Sequence, residues 1–187
     1  MLATQSTYAT YAQLVPFSEL APGQAAKIRS DLISGIIAMA TTQLKLDPSK
    51  LVVRDVRAKD DLTLYTAGSA SGVEDWGCVT AATANAYENL ATGTMGDQRW
   101  IGIYGVKINP GCACTALKFH IGGGDRVIWQ LQGLREEDNM VGLCPAGVVI
   151  PQNSPYTISR FVRLGSSPAY IVLKGVVIEP RGRVISP

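Results

Sequence analysis

A chain of 187 residues is long enough to bury a sizeable core in one domain without disulfide or metal staples. Hydrophobic residues make up 47% and charged residues only 17%. That is sparse charge for the surface of a free monomer, so part of its apolar surface is expected to face another chain. Seventeen basic against fifteen acidic residues leave a net +2, which argues against nucleic-acid binding by counterion release; the nearest basic cluster is Arg181 with Arg183.

The first residues, MLATQSTYATYAQLVPF, have neither the basic start nor the apolar stretch of a secretory signal, so the chain is expected to stay in the cytosol where it is made. Thr, Gln, Ser and Tyr dominate there without a helical period, and Pro16 closes the segment. Residues 1–17 therefore read as an N-terminal arm outside the core, and 18–187 as a single domain. The longest apolar stretch runs from Ile36 to Ala40 and is preceded by Leu32 and Ile33, with Ser34 and Gly35 interrupting. It falls far short of a membrane span, and no membrane contact is expected.

A long helix is predicted over about 22–46. Ile28, Leu32, Ile33, Ile36, Ile37, Ala40 and Leu44 follow the three-and-four spacing that lines one helical face. Ser18, Glu19 and Pro22 supply start signals, and Asp47-Pro48 stops the helix. Such a face needs a sheet or another subunit to dock on.

The β-sandwich is expected over about 51–187. Leu51 to Val56 and Leu62 to Thr66 read as a hairpin split by the charged turn Lys59-Asp60-Asp61. Residues 68–97 are rich in Gly, Ala, Thr, Ser and Asn without a clean period. They read as long connections with one short element within Val73 to Tyr87.

Alternation then sharpens. Ala113, Thr115, Leu117, Phe119 and Ile121 form one face of a strand, with Cys114, Lys118 and His120 on the other. Val127, Trp129 and Leu131 alternate with Arg126, Gln130 and Gln132 in the next strand. Gly122-Gly123-Gly124-Asp125 joins the two as a hairpin loop, and Asn109-Pro110-Gly111 marks a turn before them. Gly147 to Ile150, Tyr156 to Arg163 and Ala169 to Ile178 complete the strands, with 164–168 as a second hairpin loop. The strand from Ala169 is apolar on both faces apart from Lys174 and Gly175, so it belongs at the centre of a sheet or at a subunit interface. Many strands and one early helix make the fold mainly β: an antiparallel sandwich of jelly-roll or Greek-key type, preceded by an arm and one long α-helix.

The residues for chemistry are few. His120 is the only histidine, which excludes cupin-type and His-rich zinc sites by count. His120-Ile121-Gly122-Gly123-Gly124 resembles a glycine-rich oxyanion loop, yet the nucleophile elbow it would serve is missing, since Ala70 stands where the serine should be in Gly68-Ser69-Ala70-Ser71-Gly72. Cys112 and Cys114, with Cys78 and Cys144, lack the paired Cys-x-x-Cys spacing of a zinc site and read as small buried residues. No phosphate-binding glycine loop is present. Arg135-Glu136-Glu137-Asp138 reads as an exposed loop. Trp76, Trp100 and Trp129 with Tyr104 and Tyr156 are a candidate sugar platform, set against a core assignment for Trp129. No catalytic, metal or cofactor-binding residue is assigned, and no cofactor is expected.

The polar arm, the long helix and the histidine-poor sandwich, with the segments TALKFHIGGGDRVIWQL and AGVVIPQNSPYTISRFVRLGSSPAYIVLKGVVIEP, resemble the head decoration, or cement, proteins of tailed bacteriophages. The likeness covers the architecture of most of the chain and no diagnostic motif. It implies a non-enzymatic, capsid-stabilising protein, a homotrimer on the capsid surface of the virion, with the major capsid protein as partner and no nucleic acid or membrane. The alternative is a carbohydrate- or receptor-binding sandwich module of tail or lectin type. An enzyme comes third, and would need His120 in a cleft beside Ser, Cys or a carboxylate.

Overall fold

A computed structural model describes residues 10–62, 77–78, 85–109, 112, 114–136, 140–163 and 169–182; for 58, 59, 77, 78, 135, 136, 169 and 170 it describes the backbone alone. In chain order the described strands are β1 (Thr10–Gln13), β2 (Val15–Pro16), β3 (Leu51–Asp55), β4 (Gly77–Cys78), β5 (Ala86–Thr94) and β6 (Trp100–Ile108). They continue with β7 (Cys114–Ile121), β8 (Gly124–Gln130), β9 (Val141–Ile150), β10 (Pro155–Val162) and β11 (Ala169–Pro180). Three helices, α1 (Gln24–Leu44), α2 (Ala58–Asp61) and α3 (Gln132–Glu136), accompany them.

Four antiparallel pairs nest about the β7–β8 turn: β7 with β8, β6 with β9, β5 with β10, and β3 with β11. Successive pairs alternate between two sheets, ordered β1-β8-β7-β10-β5 and β2-β9-β6-β11-β3, with β4 added on β11. A long hairpin folded over in this way is a jelly roll, the double Greek-key sandwich that the strand pattern leads one to expect. The sheets enclose one core around Trp129, Phe119, Leu117, Ile103, Ile158 and Val177. A second layer of Ile36, Ala40, Leu51, Trp100, Val176 and Ile178 lies where α1 packs on the outer face of the β6-β11 sheet. The predicted face of α1 is the one that docks, and Ile28, Ile36 and Ala40 are its buried residues. Gly102 permits the close approach, since a Cβ there would strike Ile36 and Leu32.

β11 takes the central place expected of it, between β6 and β3. Ile171, Leu173 and Val177 face the sandwich core, while Val176 and Ile178 lie under α1. The β7–β8 hairpin is also present. Its turn is tighter than the four-residue loop expected: Gly122 and Gly123 carry φ of 63° and 83°, as a two-residue type I′ turn demands, and Gly124 and Asp125 already belong to β8.

Elsewhere the structure departs from the local reading. Ser18 and Glu19 fall near or in a 3-10 turn, Phe17–Glu19, and α1 starts only after Gly23, whose φ of 81° reverses the chain. The helix ends at Leu44 with Lys45 left-handed, before Asp47-Pro48 is reached. Asp47 instead caps a second 3-10 turn by accepting the Ser49 N–H at 2.8 Å, and the Ser49 side chain, with this backbone bond second, holds its carboxyl below the usual range. In place of the charged turn expected after β3, which pairs with β11, the segment winds into α2, where Asp61 turns inward to Arg54. Residues 63–66 lie outside the described residues.

β5 crosses the stretch read as connections. A bulge opposite Ile158/Ser159 places both Leu90 and Ala91 in the core, which erases the period-2 signal. A register shift at Phe161/Val162 likewise sends Cys114 into the core and leaves Thr115 half-exposed. Ala113 and the 164–168 loop lie outside the described residues. β10 and β11 belong to different sheets, so they form no hairpin. The arm is not detached in its described part: β1 runs parallel to β8, β2 pairs with β9, and Leu14 between them is buried in the core.

Candidate functional site

The residues singled out for chemistry are dispersed. His120 sits on an open strand face, its side chain 43% exposed, with Nδ1 2.8 Å from Asp125 Oδ1. It has the carboxylate neighbour an enzyme would need, but among the described residues no hydrogen bond joins it to a serine or cysteine. Trp100 and Trp129 are fully buried and Tyr156 nearly so, so they form no sugar platform; Trp76 lies outside the described residues. Cys112, Cys114 and Cys144 are buried thiols. Among the described residues no group of three or more His, Cys, Asp or Glu is placed to hold a metal ion. The run from Arg135 begins inside α3, and 137–139 lie outside the described residues. No described helix is long and apolar enough to cross a membrane.

A candidate surface is the outer face of the β1-β8-β7-β10-β5 sheet. The opposite sheet is covered by α1, whereas this one has no helix packed on its outer face among the described residues. Cross-strand register builds the surface in rows. Tyr11, Ile128, Lys118, Ser159 and Asn89 form one row. Gln13, Gln130, Ala116, Phe161 and Tyr87 form a second, and Asp125, His120 and Thr157 a third. Tyr11 is 68% and Tyr87 42% exposed.

Contacts between rows fix the side chains. Lys118 Nζ lies 4.7 Å above the Tyr87 ring, a cation–π arrangement. Tyr87 meets Phe161 edge-on with ring centroids 5.1 Å apart. Asp125 faces His120 and lies 3.8 Å from Lys118. Burial, reinforced by Tyr11 and Asp125, raises the Tyr87 hydroxyl above its ordinary value. The result is an aromatic and mixed-charge surface. Sequence reasoning did not assemble it, because its members come from five strands and only pairing brings them together.

A second polar cluster closes one end of the sandwich. Glu179, 1% exposed, accepts from Arg54 Nε at 3.0 Å and from Arg99 Nε at 2.9 Å. Asp61, its side chain fully buried, accepts from Arg54 Nη1 at 2.7 Å and from the Arg57 backbone N–H at 2.7 Å. Two guanidinium groups thus balance two carboxylates, and the Asp61 bond raises Arg54 above its already high ordinary value. The cluster ties β3, α2, the entry to β6 and the end of β11 together, which is a structural task. Comparison of the chain with protein-family models, with curated proteins and with solved structures returns no match.

Proposed function

We propose that this chain is a structural protein of a virion, a decoration subunit that stabilises a phage head through protein–protein contacts and has no catalytic role. The observation that carries the reading is the sheet face with Tyr11, Tyr87, Phe161 and Lys118, on which no described helix packs, in a jelly roll whose other sheet carries α1. An aromatic, mixed-charge face of this kind suits many modest contacts to a repeating protein surface rather than one small ligand. The partners are the major capsid protein and further copies of the chain in a homotrimer, seated on the capsid surface. The sparse overall charge agrees with such association.

The test mixes purified protein with undecorated heads of the phage that encodes it. Co-sedimentation, a trimeric mass by light scattering and heads that withstand more heat or chaotrope are expected; Tyr87→Ala combined with Lys118→Glu should lose the heads while keeping the fold. A monomer that ignores the heads rejects the proposal. Exposure of Tyr11 and Tyr87 also favours a second reading, a carbohydrate- or receptor-binding sandwich. Binding to a glycan array that is lost in Tyr87→Ala would put that reading first.

A further inference from the structure

We infer that the groove between the first turn of α1 and strands β6, β9 and β11 is a binding site for a small carboxylate with an apolar body, of the class of medium-chain alkanoates and arylalkanoates. Its volume is about 340 Å³, within the range of small-molecule sites. Phe17, Val141 and Leu143 give it apolar walls, and the small side chains of Ala25 and Ala26 leave it open on the helix side. The groove owes its shape to a break in pairing. Ile103 opposes Gly175 and Gly105 opposes Lys174, so Tyr104 is the extra residue on β6, and β9 breaks register at the same place. Bulges of this kind re-aim side chains, and here Tyr104 turns into the layer beside α1.

The polar groups decide the ligand. Arg29 donates to Asp55 at 3.0 Å, so its charge is already answered. Lys174 is different: it is half-buried on the central strand, and among the described residues no hydrogen bond or ion pair reaches it. Among the described residues, Arg29 and Lys174 against Asp55 leave one positive charge over at an apolar cavity. A neutral ligand would leave the ammonium without a partner, and a cationic one would be repelled. A doubly charged phosphate would meet one unanswered cation and apolar walls in place of a multi-donor cradle. A monocarboxylate supplies one charge for Lys174 and an apolar body for Phe17, Val141 and Leu143.

The site goes beyond a capsid role and is tested without heads. Octanoate, 3-phenylpropionate, octanol, octylammonium and inorganic phosphate are titrated into the 15N-labelled full chain. The carboxylates are expected to shift the amide signals of Tyr104, Val141, Leu143 and Lys174. Octanol should bind at least about tenfold more weakly, since a charge-assisted hydrogen bond is worth roughly ten- to a hundredfold in affinity. Lys174→Met should weaken octanoate by a similar factor and spare octanol, and Ala26→Trp should block both. Should Lys174→Met not fold, the ligand series on the natural chain decides alone. No shift with millimolar octanoate, equal binding of octanol or octylammonium, or shifts confined to other residues would overturn the assignment.

Discussion

Removing the charge of Glu179 while keeping its shape probes the clasp at the end of the sandwich. In Glu179→Gln the carboxamide oxygen still accepts from one guanidinium, but its NH2 group then confronts the other. Among the described residues Arg54 and Arg99 are left with Asp61 as their one buried carboxylate, which already accepts two bonds from Arg54 and one from the Arg57 backbone. Breaking a buried ion pair by deleting one partner costs about 3–5 kcal/mol. The two arginines are 22% and 16% exposed, so water recovers part of that, and a loss of roughly 2–4 kcal/mol is the expectation. For a domain of this size that lowers Tm by roughly 5–15 °C. Urea unfolding followed by tryptophan fluorescence measures it, with Arg54→Met and the double variant completing a cycle. A loss under about 0.5 kcal/mol would mean that the carboxylate is effectively solvated and that the cluster does not hold β3 to β11.

Trp129 is fully buried and meets Phe119 edge-on at 4.7 Å; Trp129→Ala should cost about 3–5 kcal/mol. Trp129→Phe should cost clearly less, because the indole N–H has no hydrogen-bond partner among the described residues, and equal losses in a denaturant titration would contradict this. Deleting residues 1–16 removes β1 and β2, one edge strand of each sheet, together with Leu14; the remainder should fold but lose at least about 2 kcal/mol, and an unchanged urea midpoint would show that the pairing adds nothing. Burial, opposed by Arg29, raises the Tyr104 hydroxyl above its ordinary value of 10.0. A raised value means that the fold favours the protonated ring, so this contribution is whole below pH 10.0 and is lost as pH rises through the folded value. Tyr104→Phe should therefore flatten the alkaline fall in Tm, and identical curves for the two proteins would refute the assignment.

What could be read from the sequence is what burial imprints on neighbouring residues. α1 was legible because Ile28, Leu32, Ile36 and Ala40 repeat at the helical period and one face meets the sheet. The β7–β8 hairpin was legible because alternation and the Gly122-Gly123 turn agree. The two apolar faces of β11 pointed to a sheet centre or a subunit interface, and the strand lies between β6 and β3. β5 was hidden because its bulge buries Leu90 beside Ala91, and α2 because Asp61 reads as a surface charge until Arg54 is known to lie above it. The surface around Tyr87 was illegible for a different reason. Lys118, Phe161 and Tyr11 become its neighbours only once strands distant in sequence have paired.

The nesting of strand pairs also sets an order of assembly. The innermost pair, β7 with β8, closes across two glycines, whereas the outermost is clasped by Arg54 and Glu179, which stand 125 residues apart. Loop-closure entropy grows with separation, and chains dominated by distant contacts fold slowly. The hairpin is thus the cheapest nucleus, each further pair shortens the effective loop for the next, and the Arg54–Glu179 contact comes last. Until it forms, β11 has an open edge where β3 belongs, and the nascent chain is most exposed to pairing with another copy of itself.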